Sequence, residues 1–405
     1  MQTHLSPDIQ NTPAGKAAES ILRSCVHCGF CNATCPTYQL LGDENDGPRG
    51  RIYLIKQMLE GKQSAAKTLT HLDRCLTCRS CETTCPSGVQ YAKLLEIGRQ
   101  IAETQIKRPP KELALRKLLR KTLPYPKRFS TLLGTARLIK PALPGTVKQK
   151  IPQKRRYKQW PQNKHNRFML ILDGCVQPSL SPDINAATAN LLDRLGIHLK
   201  NIPQATCCGA VSQHLNAEEE AQRFMRQNID AWWPEIERGA EAIISTASGC
   251  GAVLKEYHHY LQHDVDYAEK ARRISELCKD ISEIIMDEDS EQLKTTNVDT
   301  AKKLAWHPPC TLQHAQKITG HVETILTRAG YTLVPVADQY LCCGSAGTYS
   351  ILQADLAQQL RQNKLENLQK HQPEMIVTAN IGCQTHLQEA TELPVVHWIT
   401  LLDSA

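Results

Sequence analysis

The stretch from residue 25 to residue 36 reads CVHCGFCNATCP, and the same cysteine spacing returns from residue 75 to residue 86 as CLTCRSCETTCP. Both are Cys-x2-Cys-x2-Cys-x3-Cys-Pro runs, a spacing typical of 4Fe-4S cluster ligands. Three closely spaced thiolates can bind three irons of one cube, and the proline turns the chain away after the last cysteine. The runs therefore predict two 4Fe-4S clusters. Their predicted ligands are Cys25, Cys28, Cys31, Cys35, Cys75, Cys78, Cys81 and Cys85.

Zinc is the alternative metal for these runs. Zinc sites pair two Cys-x-x-Cys units that lie a dozen or more residues apart, which does not match consecutive short spacings that end in Cys-Pro. The runs resemble those of two-cluster bacterial ferredoxins, in which the fourth cysteine of each run serves the other cluster. The implied ligand sets are Cys25, Cys28, Cys31 and Cys85 for one cluster, and Cys75, Cys78, Cys81 and Cys35 for the other. The long spacer between the runs suggests a mainly helical version of the domain.

The composition limits the class of protein. The chain has 405 residues, of which 41% are apolar and 22% are charged, so it is long enough for two or three globular domains. Its first 16 residues are polar and no run approaches 18 apolar residues, so we expect neither a secretory signal nor a transmembrane helix. We therefore expect a cytoplasmic protein, whose 17 cysteines serve metal or redox chemistry rather than disulfides.

A basic, cysteine-free connector follows the two runs. Between residues 101 and 167 there are 19 Lys and Arg against two Glu, whereas the whole chain has a net charge of only +7. Apolar residues recur there at helical spacing, with Lys and Arg on the other face. Such helices can bind an anionic membrane surface or a partner subunit, and a plain solvated linker is the alternative. Few aromatics are interleaved with the charges, so nucleic acid is not an expected partner.

The C-terminal half contains an internal repeat. Each copy has one cysteine, then a Cys-Cys-Gly triplet, then a last cysteine beside a glycine. The positions are Cys175, Cys207, Cys208 and Cys250 in the first copy, and Cys310, Cys342, Cys343 and Cys383 in the second. Corresponding positions are offset by 135, 135 and 133 residues, which indicates a duplication.

Apolar runs alternate with segments of helical periodicity in each copy, which predicts a mostly parallel sheet covered by helices. Ligands of such sheets lie beyond the carboxyl ends of the strands, which is where these cysteines fall. The predicted strands are 168–172, 241–245, 304–306 and 375–377, and the predicted helices are 185–195 and 322–328. Residues 48–59 and 93–105 are predicted helices of the N-terminal region.

The two copies resemble the cysteine-rich CCG domain of the heterodisulfide reductase family and of iron-sulfur subunits of flavin-linked dehydrogenases. The fullest members of that family end in Cys-x-x-Cys, where this chain has Val253 and His386 instead of the final cysteine. Each copy thus offers four thiols. They can bind a conventional cluster, form a single site, or remain an empty thiol cage, and the sequence leaves these three alternatives open. Buried packing is the plain alternative. Cys278 matches no motif spacing and is expected to be a buried core thiol.

Five other side chains each have two interpretations. His307, His314 and His386 lie near cysteines of the second copy and can bind a metal or move a proton, although such histidines are more often packed or at the surface. Arg49 and Arg51 in the sequence GPRGR can lie near a cluster or a partner's acidic surface. The alternative is that this stretch simply begins a helix at its proline.

The predicted fold class is α+β with several domains. A two-cluster, mainly helical ferredoxin-type domain spans residues 1–105, and a basic connector with amphipathic helices spans residues 106–166. Two repeated α/β cysteine-rich (CCG) domains follow, the first over residues 167–297 and the second over residues 298–405.

The order of these modules resembles, over essentially the whole length, the iron-sulfur subunits of glycolate oxidase (glycolate dehydrogenase). The matching stretches are 25–31, 46–53 and 378–384. The resemblance implies an electron-transfer subunit of an oxidoreductase complex that oxidises glycolate to glyoxylate, and also D-lactate, on FAD-binding partner subunits. It implies that electrons pass on to a membrane quinone or another acceptor. We accordingly expect peripheral contact with the cytoplasmic face of the inner membrane.

The chain offers no flavin-binding Gly-x-Gly-x-x-Gly between a strand and a helix, so FAD is expected in the partner subunits only. No catalytic residue is predicted, and we expect no substrate turnover by the chain alone. Iron-sulfur subunits of lactate utilisation and of anaerobic glycerol 3-phosphate dehydrogenase share the same modules and are alternatives. A heterodisulfide-reductase-like thiol/disulfide enzyme is a further alternative, against which the missing final cysteines argue.

Overall fold

The computed structural model describes residues 1–62, 66–142, 144, 151–153, 155, 159–288 and 302–403. The chain divides into two compact units. The first comprises Met1–Lys117 and Asp338–Lys364, and the second comprises Leu118–Ala337 and Leu365–Ala405. The predicted boundary at residues 297 and 298, and part of the predicted connector, lie outside the described residues. The predicted domain limits therefore stay predictions.

The first unit is built from helices, several of which begin at a proline. Proline at the first helical position costs no hydrogen bond and has its φ already set for a helix. The helices are Pro7–Gln10, Pro13–Ser24, Phe30–Ala33, Pro36–Leu41, Pro48–Leu59, Ala66–Asp73, Ser80–Thr84, Tyr91–Gln105, Pro110–Thr122, Tyr349–Leu352 and Ala354–Gln369, with a 3-10 turn at Glu44–Asp46. The last residues of Pro110–Thr122 and Ala354–Gln369 belong to the second unit.

Two long helices, Pro48–Leu59 and Tyr91–Gln105, form the core of the first unit. Gly98 permits their close approach, because a Cβ at that position would lie only 2.5 Å from Cγ1 of Ile55. Leu94 is fully buried beside this contact. Burying a side chain of this size stabilises a fold by about 1.5–3 kcal/mol. The predicted helices 48–59 and 93–105 are both present, the second beginning two residues earlier.

Two parallel four-stranded sheets form the framework of the second unit. The first has the order β2-β1-β3-β4, and the second has the order β6-β5-β7-β8. The strands are β1 Arg167–Ile171, β2 Ile197–Asn201, β3 Ile243–Ser245, β4 Cys278–Asp280, β5 Lys303–His307, β6 Thr332–Val334, β7 Met375–Thr378 and β8 Val395–His397. Identical strand order in the two sheets confirms the predicted fold class, with two repeated α/β domains after a helical region.

Helices cover both sheets. They are Pro126–Ile139, Gln177–Leu180, Asp183–Arg194, Ala210–His214, Glu218–Glu237, Ser248–Leu254, Tyr257–Tyr260, Ala268–Leu277, Ile281–Asp287, His321–Arg328 and Ile381–Gln388, with a π-helical turn at Thr311–Ala315 and 3-10 turns at Lys140–Ala142 and Trp398–Leu401. The second unit also takes in the end of Ala354–Gln369. The four predicted strands correspond to β1, β3, β5 and β7, whereas the other four strands were not predicted.

The two repeats pack against each other through equivalent segments. The Ser248 amide donates to the carbonyl of Ala379 at 3.2 Å, and these residues occupy neighbouring positions in the repeat. The His397 imidazole contacts the Thr246 carbonyl with Nε2 at 2.8 Å. A shared apolar core, which includes the fully buried Trp398, lies between the two sheets. The two sheets of the duplicated region therefore share one core within the second unit.

Candidate iron-sulfur and thiol sites

The first cavity of the helical unit is lined by thiols from both cysteine runs. Its empty volume is about 440 Å³, and five cysteines line it: Cys25, Cys28, Cys31, Cys81 and Cys85. The loop that precedes the helix Phe30–Ala33 turns at Gly29, where φ is +87°. Glycine adopts that conformation without strain, which lets the loop wrap around the cavity.

A second cavity of about 290 Å³ is lined by Cys35, Cys75, Cys78 and Cys81. The Cys75 sulfur accepts hydrogen bonds from the Thr77 amide at 3.4 Å and from the Tyr91 hydroxyl at 3.6 Å. Hydrogen bonds to a sulfur favour its thiolate form, which is the form that binds a metal.

Cys35 and Cys85 each open toward the cavity of the other run. The two short helices Phe30–Ala33 and Ser80–Thr84 bring the runs together, since the Thr84 hydroxyl donates to the Thr34 hydroxyl at 3.2 Å. Each run ends just after this contact, so its last cysteine lies beside the first three of the other run. Each cavity thus brings together the four thiols of one predicted set, with Cys81 also at the wall of the first cavity; the ligand sets themselves stay a prediction.

The donor chemistry of both cavities fits a 4Fe-4S cluster. Burial raises the pKa of Cys31 to about 11, with the charges of Cys25, Cys85 and Cys28 adding to the effect. Burial likewise raises the pKa of Cys81, with further contributions from Cys78, Cys75 and Cys35. Four thiols that face one another in a buried space need a cationic group to be stable as thiolates. All-sulfur donation from four cysteines is the ligand set of such clusters.

The two cavities differ in their exposure to solvent. The first reaches the surface, where Cys28 is exposed and is flanked by Val26 at 68% exposure and Phe30 at 61%. In the second cavity Cys35, Cys75, Cys78 and Cys81 are all buried. The thiols of the first cavity are therefore closer to solvent than those of the second.

Four thiols also meet in the first CCG repeat, which lies wholly in the second unit. Side-chain hydrogen bonds link Cys175 to Cys207, Cys207 to Cys208, and Cys208 to Cys250. The hydrogen bonds from Cys207 and Cys250 lower the pKa of Cys208, whereas the bonds in which Cys207 and Cys250 take part raise the pKa of those two thiols. Cys208 thus interacts with two neighbouring thiols, and four sulfurs linked in this way are a donor set that suits a metal or a redox reaction.

Backbone geometry fixes the Cys-Cys-Gly triplet of this repeat. Gly209 has a φ of +93°, and a Cβ there would lie 3.0 Å from the Ala221 carbonyl oxygen. The Asn228 side-chain amide donates to the Cys207 carbonyl at 2.8 Å, and the Tyr257 hydroxyl donates to the Cys208 carbonyl at 3.0 Å. The glycine of the triplet is therefore required both by its conformation and by the closeness of the helix Glu218–Glu237.

The second four-cysteine set is divided between the two units. Cys342 and Cys343 belong to the first unit, whereas Cys310 and Cys383 belong to the second, and all four are buried. The triplet has the same local geometry as in the first repeat, since the Gly344 amide donates to the Cys342 sulfur at 3.5 Å and Gly344 has a φ of +90°. The prediction of a common site for these four thiols stays a prediction.

Other candidate residues are placed as follows. The histidines His307, His314 and His386 are buried rather than at the surface. Cys278 is buried as predicted, and burial raises its pKa to about 12. Arg49 lines the first cavity and Arg51 lines the second, so both arginines of GPRGR lie beside thiols of the predicted sets. The same stretch also begins the helix Pro48–Leu59, as the alternative interpretation expected.

Tyr91, Asn228 and Tyr257 were missed in the sequence analysis. Each lies on a helix some distance along the chain from the cysteines that it contacts, and none belongs to a motif. An aromatic residue such as Tyr91 shortly after a Cys-Pro pair carries no spacing signal, so only the tertiary structure assigns its hydroxyl to Cys75.

Part of the positive charge of the basic connector is paired with acidic side chains of the same chain. Within the first unit, Arg108 and Arg116 form ion pairs with Asp73 at 2.5 and 3.2 Å. Leu132 and Leu138 of the next helix, at 54% and 82% exposure, remain open to solvent. No helix in the described part of the chain has the length and apolarity needed to cross a lipid bilayer.

The fold and the sites define an iron-sulfur protein with a dicluster domain and a duplicated cysteine-rich domain. A 4Fe-4S dicluster domain family matches residues 21–89, and the cysteine-rich domain family matches residues 169–255 and 304–388.

Curated relatives place the chain more narrowly. It is 56% identical to the glycolate oxidase iron-sulfur subunit of Escherichia coli (strain K12), over 100% of this chain and 99% of the relative. It is 29% identical to a probable glycolate oxidase iron-sulfur subunit of Bacillus subtilis (strain 168), over 95% and 92% of the two chains. Lactate utilization protein A of Geobacillus thermodenitrificans is 24% identical over 52% of this chain and 85% of its own. The chain therefore belongs to the glycolate oxidase iron-sulfur subunit family.

Proposed function

We propose that the chain is the electron-transfer subunit of a flavin-dependent glycolate oxidase complex. In this role it receives electrons from flavoprotein subunits that oxidise glycolate to glyoxylate, and also D-lactate, and it passes them to a further acceptor. The observation that carries the proposal is the pair of neighbouring cavities, each lined by three thiols of one run together with the last cysteine of the other run, with Cys81 lining both. Lactate utilisation is a weaker alternative because those relatives match only about half of the chain.

The eight cysteines of the helical unit are the proposed cluster ligands. The sets are Cys25, Cys28, Cys31 and Cys85 for the first cluster, and Cys75, Cys78, Cys81 and Cys35 for the second. When bound, such clusters accept and release single electrons. Because Cys81 lines both cavities, the two sites are separated by little more than one side chain, which suits transfer between them.

Cysteine variants of the complete complex test these ligand sets. Anaerobic preparations should contain about eight irons per chain from the two cubes, and Cys28→Ser or Cys78→Ser should remove the signal of one cluster only. The replacement Cys278→Ser is the matched control, since this thiol is buried but belongs to neither set. Unchanged iron content and spectra in both ligand variants would contradict the assignment.

The exposed edge of the first cavity is the proposed entry for electrons. Cys28 lies at the surface there, and Val26 and Phe30 offer apolar contact area to a flavoprotein subunit. Replacing Phe30 by Ser should slow electron transfer from the flavin while leaving iron content unchanged. Val265→Ser, at an exposed valine outside the proposed sites, is the control for a general loss of apolar surface.

A membrane quinone is the proposed final acceptor, with the connector in peripheral contact with the cytoplasmic face of the inner membrane. The support is the coexistence, within the second unit, of exposed leucines such as Leu132 and Leu138 with exposed lysines such as Lys121 and Lys127. Each basic side chain near an anionic surface contributes about 1 kcal/mol to binding. Replacing both lysines by Gln should therefore release the complex from anionic vesicles. Unchanged binding of the complex to the vesicles would instead support the interpretation of this segment as a solvated linker.

The four thiols of the first CCG repeat are proposed as a further cluster or redox site. Their chain of hydrogen-bonded sulfurs is more than packing requires. Iron beyond about eight per chain, lost in Cys208→Ala but kept in Cys278→Ala, would support a metal there. Disulfide reductase activity that depends on Cys208, with no extra iron, would instead favour the thiol/disulfide alternative.

A further inference from the structure

Arg51 is a fully buried guanidinium in the wall of the second cavity. Its Nε donates to the carbonyl of His71 at 2.7 Å, and its NH2 group donates to the Thr37 hydroxyl at 3.1 Å. The same nitrogen lies 3.5 Å from a carboxylate oxygen of Asp46. Arginine keeps its charge even when buried, so a permanent positive charge is fixed beside this cavity.

The charges around the second cavity do not cancel. Asp46 is shared between Arg51 and Arg74, whose nearest nitrogen lies 2.8 Å from the carboxylate. Arg99 adds another buried guanidinium, which donates to the Cys75 carbonyl at 2.9 Å. Glu82, beside Cys81, is the other carboxylate that acts on these thiols. Arg79 also lines this cavity, so four guanidinium groups stand against these two carboxylates and Asp73, whose charge acts on Arg99.

The first cavity has a different electrostatic environment. Its wall includes Arg49, whose Nε donates to a Glu44 carboxylate oxygen at 2.6 Å. The two side chains are 35% and 40% exposed. A paired charge in contact with water is screened, whereas a buried charge acts through a medium of low dielectric constant. The two cavities therefore differ in the positive charge that their contents would experience.

We propose that Arg51 gives the cluster bound by Cys35, Cys75, Cys78 and Cys81 the higher reduction potential of the pair, which makes it the destination of electrons that enter at the first cluster. The inference rests on the proposed function. A reduced cluster carries one more negative charge than the oxidised one, and a buried cation stabilises that added charge. In the transfer the first cluster loses one electron and the second gains it, with the partner flavoprotein as the source.

Potentiometric titration of the anaerobic holo-complex, followed by EPR, tests this inference. In the unaltered complex, the signal with the higher potential should be the one that Cys78→Ser removes, and Cys28→Ser should remove the other. Arg51→Gln should lower the potential of the second cluster enough to change the electron partition between the clusters at least tenfold, which is 59 mV for a one-electron couple. Arg51→Lys keeps the charge and should restore most of the difference.

Arg49→Gln is the matched control, because it removes an arginine of the same helix from the wall of the first cavity. It should change neither potential by as much as Arg51→Gln changes the second. A positioning role for Arg51 without an electrostatic one would change the iron content but leave the potentials of the assembled clusters where they are.

The outcomes separate this inference from the proposed function. If both signals are present but the signal that Cys28→Ser removes has the higher potential, the role of Arg51 is overturned and the proposed function is not. Unchanged potentials in an iron-replete Arg51→Gln complex would overturn that role as well. If the Arg51→Gln complex loses its second cluster, two other measurements test the role of Arg51. They are the order of potentials in the unaltered complex and the titration of the Arg51→Lys complex. Absence of both signals from the unaltered complex would overturn the proposed function itself.

Discussion

A buried histidine at the contact of the two repeats gives the stability of the second unit a specific pH dependence. His397 is the last residue of β8 and is fully buried. Its Nε2 lies 2.8 Å from the Thr246 carbonyl, and its Nδ1 accepts a hydrogen bond from the Ile399 amide at 3.3 Å. This pattern requires the neutral ring with its proton on Nε2. Burial lowers the pKa of His397 to about 4.

The size and sign of the effect follow from the two protonation states. In the unfolded chain the imidazole has a pKa of about 6.5, and each unit of difference corresponds to about 1.4 kcal/mol. As the pH falls through 6.5, the unfolded chain binds a proton that the folded unit rejects, so the free energy of unfolding decreases. The loss attributable to His397 is about 2 kcal/mol between pH 6.5 and 5 and about 3 kcal/mol by pH 4.

Asp280 occupies the corresponding position at the end of β4 in the first repeat and acts in the opposite direction. Burial raises its pKa to about 6, although the Ser282 hydroxyl and amide donate to its carboxylate. Its folded pKa lies above the unfolded value, so its stabilising contribution is complete below about pH 3.9 and is lost as the pH rises through 6. Between pH 6 and 4 the two groups therefore nearly cancel in the unaltered protein.

Replacing His397 by Gln separates the two contributions. All five tryptophans of the sequence lie in the second unit, so their fluorescence during urea unfolding reports on that unit. The advantage of the unaltered protein over His397→Gln should shrink by about 2 kcal/mol from pH 6.5 to 5. Asp280→Asn should show the reverse dependence. Parallel stability curves for the unaltered protein and His397→Gln would refute the reasoning.

Two further predictions concern the cysteine sites. Cys85→Ser should remove the same EPR signal as Cys28→Ser, although it belongs to the other run; loss of the other signal instead would contradict the crossed ligand sets. Gly209→Ala should destabilise the second unit by about 1–3 kcal/mol in urea unfolding, because a φ of +93° strains any other residue and the Ala221 carbonyl leaves little space. Unchanged stability would show that the triplet tolerates a side chain.

Much of the fold could be predicted because its signals are local. Cysteine spacing and Cys-Pro endings placed the two runs, and apolar runs predicted β1, β3, β5 and β7. The outer strands β2, β4, β6 and β8 were missed since they are partly polar, as in Ile197–Asn201, in which only Ile197 and Leu199 are buried. Edge strands need fewer apolar residues because one side of each lacks a neighbouring strand.

The environment of the sites was less predictable because it depends on distant contacts. The sequence indicated that Arg51 can lie near a cluster, but not that its guanidinium is buried beside Asp46. Asn228 and Tyr257 hold the first triplet from helices that follow it by 20 or more residues. The grouping of Asp338–Lys364 with the helical unit likewise depends on tertiary packing that no spacing rule encodes.

The most direct test of the central claim is the reduction of the clusters by substrate. The complete complex with its flavoprotein subunits would be mixed anaerobically with glycolate, D-lactate or glycerol 3-phosphate, while cluster absorbance and EPR are recorded. The account predicts reduction of both clusters by glycolate, and none in a complex that carries Cys28→Ser and Cys78→Ser together. Intact clusters that glycolate leaves oxidised, or that only glycerol 3-phosphate reduces, would contradict it.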